Sequence, residues 1–247
     1  MRAEAPRRWL WAFLGLFFRL LYEECSWAYD AVAWAVSAGR WWEWGRAVMQ
    51  HLRGPRVLEL GHGPGHLLVT MARRGLRPVG LDPSPQMGRL ARRRLRRAAL
   101  ALPLVRARAQ ALPFRDGCFD SVAATFPSEY ILDPATWREA ARVVHSGGAD
   151  QAAGRVVVAA GVQLDRHHPL WRPLAWLYRV TGENPEAYAS VWAPTAEKVA
   201  RWLQVHLQAE HVGRTQVVLL VGEKVSTLTP CLLYTSDAAD DLLCVDL

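Results

Sequence analysis

The sequence predicts an α/β fold: a doubly wound, mostly parallel sheet with helices on both faces. Three observations carry this. The apolar residues Val57, Leu58 and Leu60 run into the turn Gly61-His62-Gly63-Pro64-Gly65-His66 and then into a helical stretch. A second short apolar run, 78–81, ends in Asp82 and is again followed by a helical pattern. Residues 119–125 and 133–144 repeat the same alternation. Strands that alternate with helices in this way build parallel sheets, whose strands read as apolar runs because both faces are covered.

Length and composition set the bounds. At 247 residues and 51% hydrophobic content, the chain can bury a full core and is most simply one domain. Its formal charge is +7, carried almost wholly by arginine, with lysine only at Lys198 and Lys224. Arginine bias of this kind often reflects a GC-rich genome, so it says little about partners. Residues 231–247 (CLLYTSDAADDLLCVDL) resemble the translation of a sequencing adapter and are set aside, which implies that the native C-terminus is missing. A genuine acidic tail is the alternative. Without them the balance is 30 basic against 19 acidic residues, and only Cys25 and Cys118 remain. Two isolated cysteines do not make a disulfide framework, which suits a reducing cytoplasm.

The glycine turn is a cofactor cradle by default, because glycines permit torsions and close approach that a Cβ would prevent. A dinucleotide fingerprint would put its third glycine at His66, where a side chain obstructs helix–strand packing. The spacing found is Gly61-x-Gly63-x-Gly65, with acidic Glu59 two residues earlier on the strand. This resembles motif I of the class I S-adenosylmethionine-dependent methyltransferases. The order Trp27-Ala28-Tyr29-Asp30, Ser37-x-Gly39 and Trp44 looks like the N-terminal region of the ubiquinone/menaquinone biosynthesis C-methyltransferases and their type-11 relatives. The resemblance implies a Rossmann-like methyltransferase fold, an N-terminal helical lid, S-adenosylmethionine as cofactor, and Tyr29 near the cofactor's carboxylate. Packing of Tyr29 on an apolar helix face is the alternative.

Further along, Asp82 at the end of the second strand is expected to accept hydrogen bonds from both ribose hydroxyls. Pro83 follows it, and Ser84 is placed to cap the next helix. Met87 matches the family position that packs on adenine, with core filling as the alternative. A helix is predicted over 85–102, with Arg89, Arg92, Arg93, Arg94, Arg96 and Arg97 on its outer face. A solvated face is the default for it; a surface for anionic lipid or nucleic acid is the sharper reading.

The segment Arg108-Ala109-Gln110-Ala111-Leu112-Pro113-Phe114, followed by Phe119-Asp120, resembles the type-11 pattern Asp-Ala-x-x-Leu-Pro-Phe … Phe-Asp. Arg108 stands where the family has an aspartate that contacts the adenine amino group. Arginine cannot accept a hydrogen bond, so adenine is expected to be read by backbone groups near Ala109 and Gln110. Thr125 ends the fourth strand, and the loop after it is expected to face both the methyl group and the acceptor.

Asp133 is read as a helix cap, residues 149–154 as a loop insertion or assembly error, and 155–158 as the fifth strand. The aromatic stretch 161–193 is expected to build an acceptor pocket, 194–208 a helix, and 216–221 a late strand. The stretch between these last two looks too short for a full sixth strand. His167-His168 has no ligand set nearby, and no metal is expected. The uncharged run 9–18 is too short to span a bilayer, which takes about 20 residues, leaving burial or an interfacial position.

The domain layout is therefore a lid or membrane-interface segment over 1–50, a methyltransferase domain over 51–230 and the set-aside tail. The expected function is methyl transfer to a small, apolar or lipid-like acceptor in the cytoplasm, with peripheral contact at the inner membrane face and no nucleic acid. His62, Glu129, Tyr130 and His145 are candidate bases that the sequence does not rank, and oligomeric state is not specified. The competing class is a non-catalytic module that keeps the fold and docks on membrane or RNA, motivated by Arg108 and the irregular C-terminal edge.

Overall fold

The computed structural model describes residues 39–147, 152–164, 195, 197–213 and 215–224. Tyr29, the apolar run 9–18, His167-His168, most of the aromatic stretch 161–193 and the tail lie outside them. The strands are β1 (Arg56–Leu60), β2 (Arg77–Leu81), β3 (Leu104–Val105), β4 (Ser121–Thr125), β5 (Arg155–Leu164), β6 (Leu203–Val212) and β7 (Thr215–Lys224). The helices are α1 (Trp41–Gly45), continued by a 3-10 turn at Arg46–Gln50, then α2 (His66–Arg73), α3 (Pro85–Arg97) and α4 (Pro134–Val143). No helix among the described residues is long and apolar enough to cross a membrane.

All seven strands join one sheet in the order β3-β2-β1-β4-β5-β7-β6. The first five are mutually parallel, and β7 is antiparallel to both β5 and β6. Strand order reverses between β1 and β4: Leu60 pairs with Leu81 of β2 on one side and Ala124 of β4 on the other. The crevice beyond such a reversal is where open α/β sheets bind ligands.

Period-two alternation divides the core between the sheet's faces. Leu58, Leu60, Val122 and Ala124 pack with the fully buried Trp137 of α4. Val57 and Ala123 point the other way and pack with Leu68 and Met71 of α2 and Leu95 of α3. Glu59 alternates with Leu58 and Leu60, so it shares the face of Val57, toward α2 and α3.

Helix α3 follows its sequence signals at the start and departs at the end. Ser84 caps it, accepting from the Met87 N–H at 3.3 Å, Pro85 opens it, and Met87, Ala91 and Leu95 are buried at four-residue spacing. It stops at Arg97, not at 102. Ala99 turns into the left-handed region (φ +55), and the Leu100 and Ala99 N–H groups return to the Leu95 and Arg96 carbonyls at 2.9 and 3.1 Å. That pairing is a Schellman cap, which ends a helix by satisfying its last carbonyls. Asp133 caps α4 through the Ala135 N–H at 2.9 Å, as its sequence predicts.

The C-terminal third corrects the sequence reading most. The helix expected over 194–208 is confined among the described residues to a few positions before 200, and Leu203–Val212 is a ten-residue strand. It pairs along its whole length with β7, itself longer at both ends than 216–221, through a two-residue connection that begins at Gly213 (φ +62). A full sixth strand is therefore present and the sheet edge is regular. Residues 161–164 belong to β5, not to the aromatic stretch.

Candidate active site

The crevice at the end of β1 is built by the glycine turn. Gly63 (φ +50) and Gly65 (φ +81) hold torsions that L side chains rarely adopt. A Cβ on Gly63 would project into open space, whereas one on Gly65 would sit 3.0 Å from the Ala91 Cβ. The first therefore keeps the cradle open, and the second lets α3 approach the start of α2. The Gly63 peptide is clamped from both sides. Asp82 Oδ2 accepts its N–H at 3.0 Å, and His62 Nδ1 lies 2.7 Å from its carbonyl oxygen and must donate to it. Burial lowers the His62 pKa, an effect that the charge of Asp82 only partly opposes. The other Asp82 oxygen accepts the Ser84 N–H at 2.8 Å.

A cavity of about 400 Å³ opens beside this turn. Glu59, Gly61, Gly63 and Thr125 line it, and Trp41, Trp42, His66 and Phe126 supply aromatic walls. Trp42 stacks on the His66 ring, and Trp41 meets the Phe126 ring at 4.5 Å and 43°. Phe126 is held in the left-handed region (φ +47) while its N–H donates to the Ala159 carbonyl at 2.8 Å. Such torsions cluster at functional sites, where surrounding contacts enforce them. Glu59 is only 2% exposed, and its Oε2 has no hydrogen-bond partner among the described residues. Burial, with the charge of Asp82 added, holds its carboxyl well above the ordinary carboxylate range.

Comparison with known proteins gives this arrangement a family. Residues 57–148 match the model of a methyltransferase domain. Over 191 residues, 75% of this chain and 78% of the relative, the sequence is 31% identical to a demethylmenaquinone methyltransferase of Mycobacterium marinum. The chain belongs to the S-adenosylmethionine-dependent methyltransferases. A methyltransferase of a Mycobacterium species (strain JLS) is 36% identical over 101 residues, a match that spans 38% of this chain and only 36% of that relative's length. The fold agrees with a structure from Methanococcus maripaludis assigned to S-adenosyl-L-methionine-dependent methyltransferases, at TM-score 0.55 and 16% identity over 81% of this chain and 92% of that one. A Pyrococcus horikoshii OT3 protein aligns at TM-score 0.52 and 18% identity, over 85% and 98% of the two chains.

The methyltransferase cofactor is S-adenosylmethionine, and the residues present fit it. A buried carboxylate with an unpartnered oxygen on the cavity wall is a receptor for a cation such as the cofactor's ammonium group. The open space at Gly63 suits close approach of a ligand to the backbone. Among the residues expected to bind it, Glu59, Gly61, Gly63 and Thr125 meet at the cavity. Asp82 reaches the same turn from behind, through the Gly63 N–H. Gly65 serves helix packing, and Met87 is fully buried on the inner side of α3. Ala109 is buried, Gln110 half-buried, and Pro83 and Arg108 exposed. None of these last residues is on the cavity lining.

The candidate bases separate. His145 lies at the opposite end of the sheet, 3.7 Å from Asp120, where Asp120 also takes the Arg56 guanidinium and ties the starts of β1 and β4. Tyr130 donates to the Leu60 carbonyl at 3.1 Å and packs over Gly61, so it braces the turn. Glu129 is exposed and off the cavity lining. Trp41, Trp42 and His66 carry no cofactor or acceptor role in the sequence pattern, whereas Phe126 belongs to the loop after β4 that is expected to face the methyl group and the acceptor. The Trp41-Trp42 pair beside a family lid motif was the available signal, whereas nothing in the sequence marks Phe126 as holding a positive φ.

Proposed function

We propose that the chain methylates a small planar, largely apolar acceptor held between the Trp42–His66 stack and the Trp41–Phe126 pair. The observation that carries this is the aromatic lining on the same cavity as Glu59 and the glycine turn. Flat aromatic walls favour flat apolar ligands through area burial and ring contacts. The name of the Mycobacterium marinum relative, a demethylmenaquinone methyltransferase, supports the same class of acceptor.

S-adenosylmethionine supplies a methyl group on a sulfonium, an electrophilic carbon with a neutral thioether as its leaving group. The protein's task is to bind, orient and exclude water. Glu59 would hold the ammonium, the Gly63 backbone would allow close approach, and Asp82 would receive the ribose hydroxyls in addition to fixing the turn. Thr125 and Phe126, at the end of β4, would set the side from which the acceptor enters. Holding two reactants in near-attack geometry contributes about 7–11 kcal/mol to the barrier in favourable systems, so positioning carries most of the work here.

Residues 1–50 complete the site as a lid in this reading, of which α1 is the described part and already bears on the cavity through Trp41 and Trp42. An acceptor of this kind partitions into membranes, and the apolar run 9–18 with Arg7 and Arg8 would hold the enzyme at the cytoplasmic membrane face. Recovery of the intact chain wholly in the soluble fraction after cell lysis contradicts that placement.

The acceptor class is tested by incubating the full chain with methyl-labelled S-adenosylmethionine and a panel of reduced naphthoquinols, phenols and aliphatic amines. Label transferred to the planar aromatic members, and lost on Trp42→Ala, is the expected result. Transfer confined to the amines overturns the acceptor assignment.

A further inference from the structure

Among the described residues, the lining of the cavity beside the glycine turn is rich in arginine. Arg46 from the 3-10 turn, Arg73 from the last turn of α2 and Arg97 from the last turn of α3 converge on it from three separate elements. Arg94, also on the lining, is tied to the Pro64 carbonyl. Among the described residues the lining holds one carboxyl group, Glu59.

Only part of the arginine face of α3 turns toward the cavity. Of the six arginines on α3, Arg89, Arg92, Arg93 and Arg96 are off the lining, and only Arg94 and Arg97, three apart, reach it. On α2 the lining residues are His66, Leu67, Val69, Thr70 and Arg73, and His66, Thr70 and Arg73 share one helical stripe, so Arg73 lies along the wall that carries the Trp42 stack. Arg46, Arg73 and Arg97 are exposed. S-adenosylmethionine brings one net positive charge to the same space, its carboxylate offsetting its ammonium, so an anionic second reactant is electrostatically favoured there.

We propose that the acceptor carries an oxyanion, a carboxylate or phosphate ester, and that Arg46, Arg73 and Arg97 hold it while its ring lies against the aromatic wall. Guanidinium groups suit this role because their planar donors match either oxyanion in paired hydrogen bonds. The inference rests on the methyltransferase reading and names the substrate class of that same cavity. It also predicts cooperation: a bound cationic donor and a bound anion each raise the affinity for the other, and salt weakens the effect.

The test is calorimetric titration of the full chain with four probes: 1-naphthyl phosphate, 1-hydroxy-2-naphthoate, uncharged 1-naphthol and inorganic phosphate. Each is run with and without saturating S-adenosylhomocysteine. At least one of the two acidic naphthalenes is expected to bind at least tenfold more tightly than naphthol and than inorganic phosphate. In the variant carrying Arg73→Gln and Arg97→Gln that advantage is expected to fall at least tenfold and to return in the Arg73→Lys, Arg97→Lys variant. The thermal midpoint should stay unchanged in both, because these side chains are exposed, and affinity for S-adenosylhomocysteine should fall far less than affinity for the acidic probe; an equal loss assigns the arginines to the cofactor's own carboxylate and overturns the proposal. Equal affinity for naphthol and the acidic probes overturns the proposal, as does an advantage that survives the double substitution. Inorganic phosphate binding as tightly as the naphthyl ester makes this a site for free anions and also overturns it. Failure of S-adenosylhomocysteine to bind the folded chain strikes the methyltransferase reading instead, and the runs without it still report on the anion site.

Discussion

Glu59 destabilises the empty protein at the place where it serves the loaded one. A buried carboxyl with an unpartnered oxygen costs about 1–3 kcal/mol relative to a satisfied or neutral group. Glu59→Gln is therefore expected to raise the thermal midpoint of the ligand-free chain and to weaken binding of S-adenosylhomocysteine by about tenfold or more, the value of one charge-assisted hydrogen bond. The pH dependence has a definite sign. The folded pKa of Glu59 lies above its unfolded value near 4.5, so the native state takes up its proton first and this carboxyl's burden on stability is relieved as pH falls toward that range. His62 acts in the opposite sense. Its folded pKa is below the usual 6.5, so its contribution is fully present above that value and is lost as pH falls below it. Melting curves of wild type and Glu59→Gln between pH 4 and 8 separate the two, because only the Glu59 component disappears in the variant.

Elements show which sequence signals are decisive. The Leu112-Pro113-Phe114 segment, legible as a family pattern, is held by α4. Arg142 donates to the Leu112 and Phe114 carbonyls at 3.0 and 2.8 Å, and Glu139 accepts the Leu112 N–H at 2.9 Å while pairing with Arg142. Arg142→Ala strands these acceptors and is expected to cost about 2–3 kcal/mol, read as a lowered denaturant midpoint. The early end of α3 was not legible, because Ala99 adopts a torsion that sequence patterns reserve for glycine or asparagine. A left-handed alanine carries a conformational cost of about 1–2 kcal/mol, partly offset by the greater unfolded-state entropy of glycine. Ala99→Gly is therefore expected to stabilise by about 0.5–1 kcal/mol, which raises the midpoint by a few degrees. Strand β6 is legible in the sequence. Leu203 and Val205 alternate with Gln204 and His206, the period of a half-buried strand, whereas Leu207 and Ala209 farther along are exposed. The helical signals before residue 200 masked its start.

The candidate cavity lies at the reversal of strand order between β1 and β4, the position to which the glycine turn, Asp82 and the strand–helix alternation point. These features are local, so their spacing survives in a single sequence. The aromatic and arginine walls were not readable, since they join α1, the 3-10 turn, α2, α3 and the β4 loop through packing that no short motif encodes. The regular β6–β7 edge also removes one of the two reasons for reading the chain as a non-catalytic module, leaving only Arg108. In the proposed function the cavity beside Glu59, Gly61 and Gly63 belongs to a working cofactor site. The most direct measurement is calorimetric titration of the full chain and its Asp82→Ala variant with S-adenosylhomocysteine. Saturable one-to-one binding in the micromolar range, about −8 kcal/mol, weakened at least tenfold by Asp82→Ala, is the predicted result. A folded chain that takes up no ligand, or binds it equally well without the Asp82 carboxylate, contradicts the account.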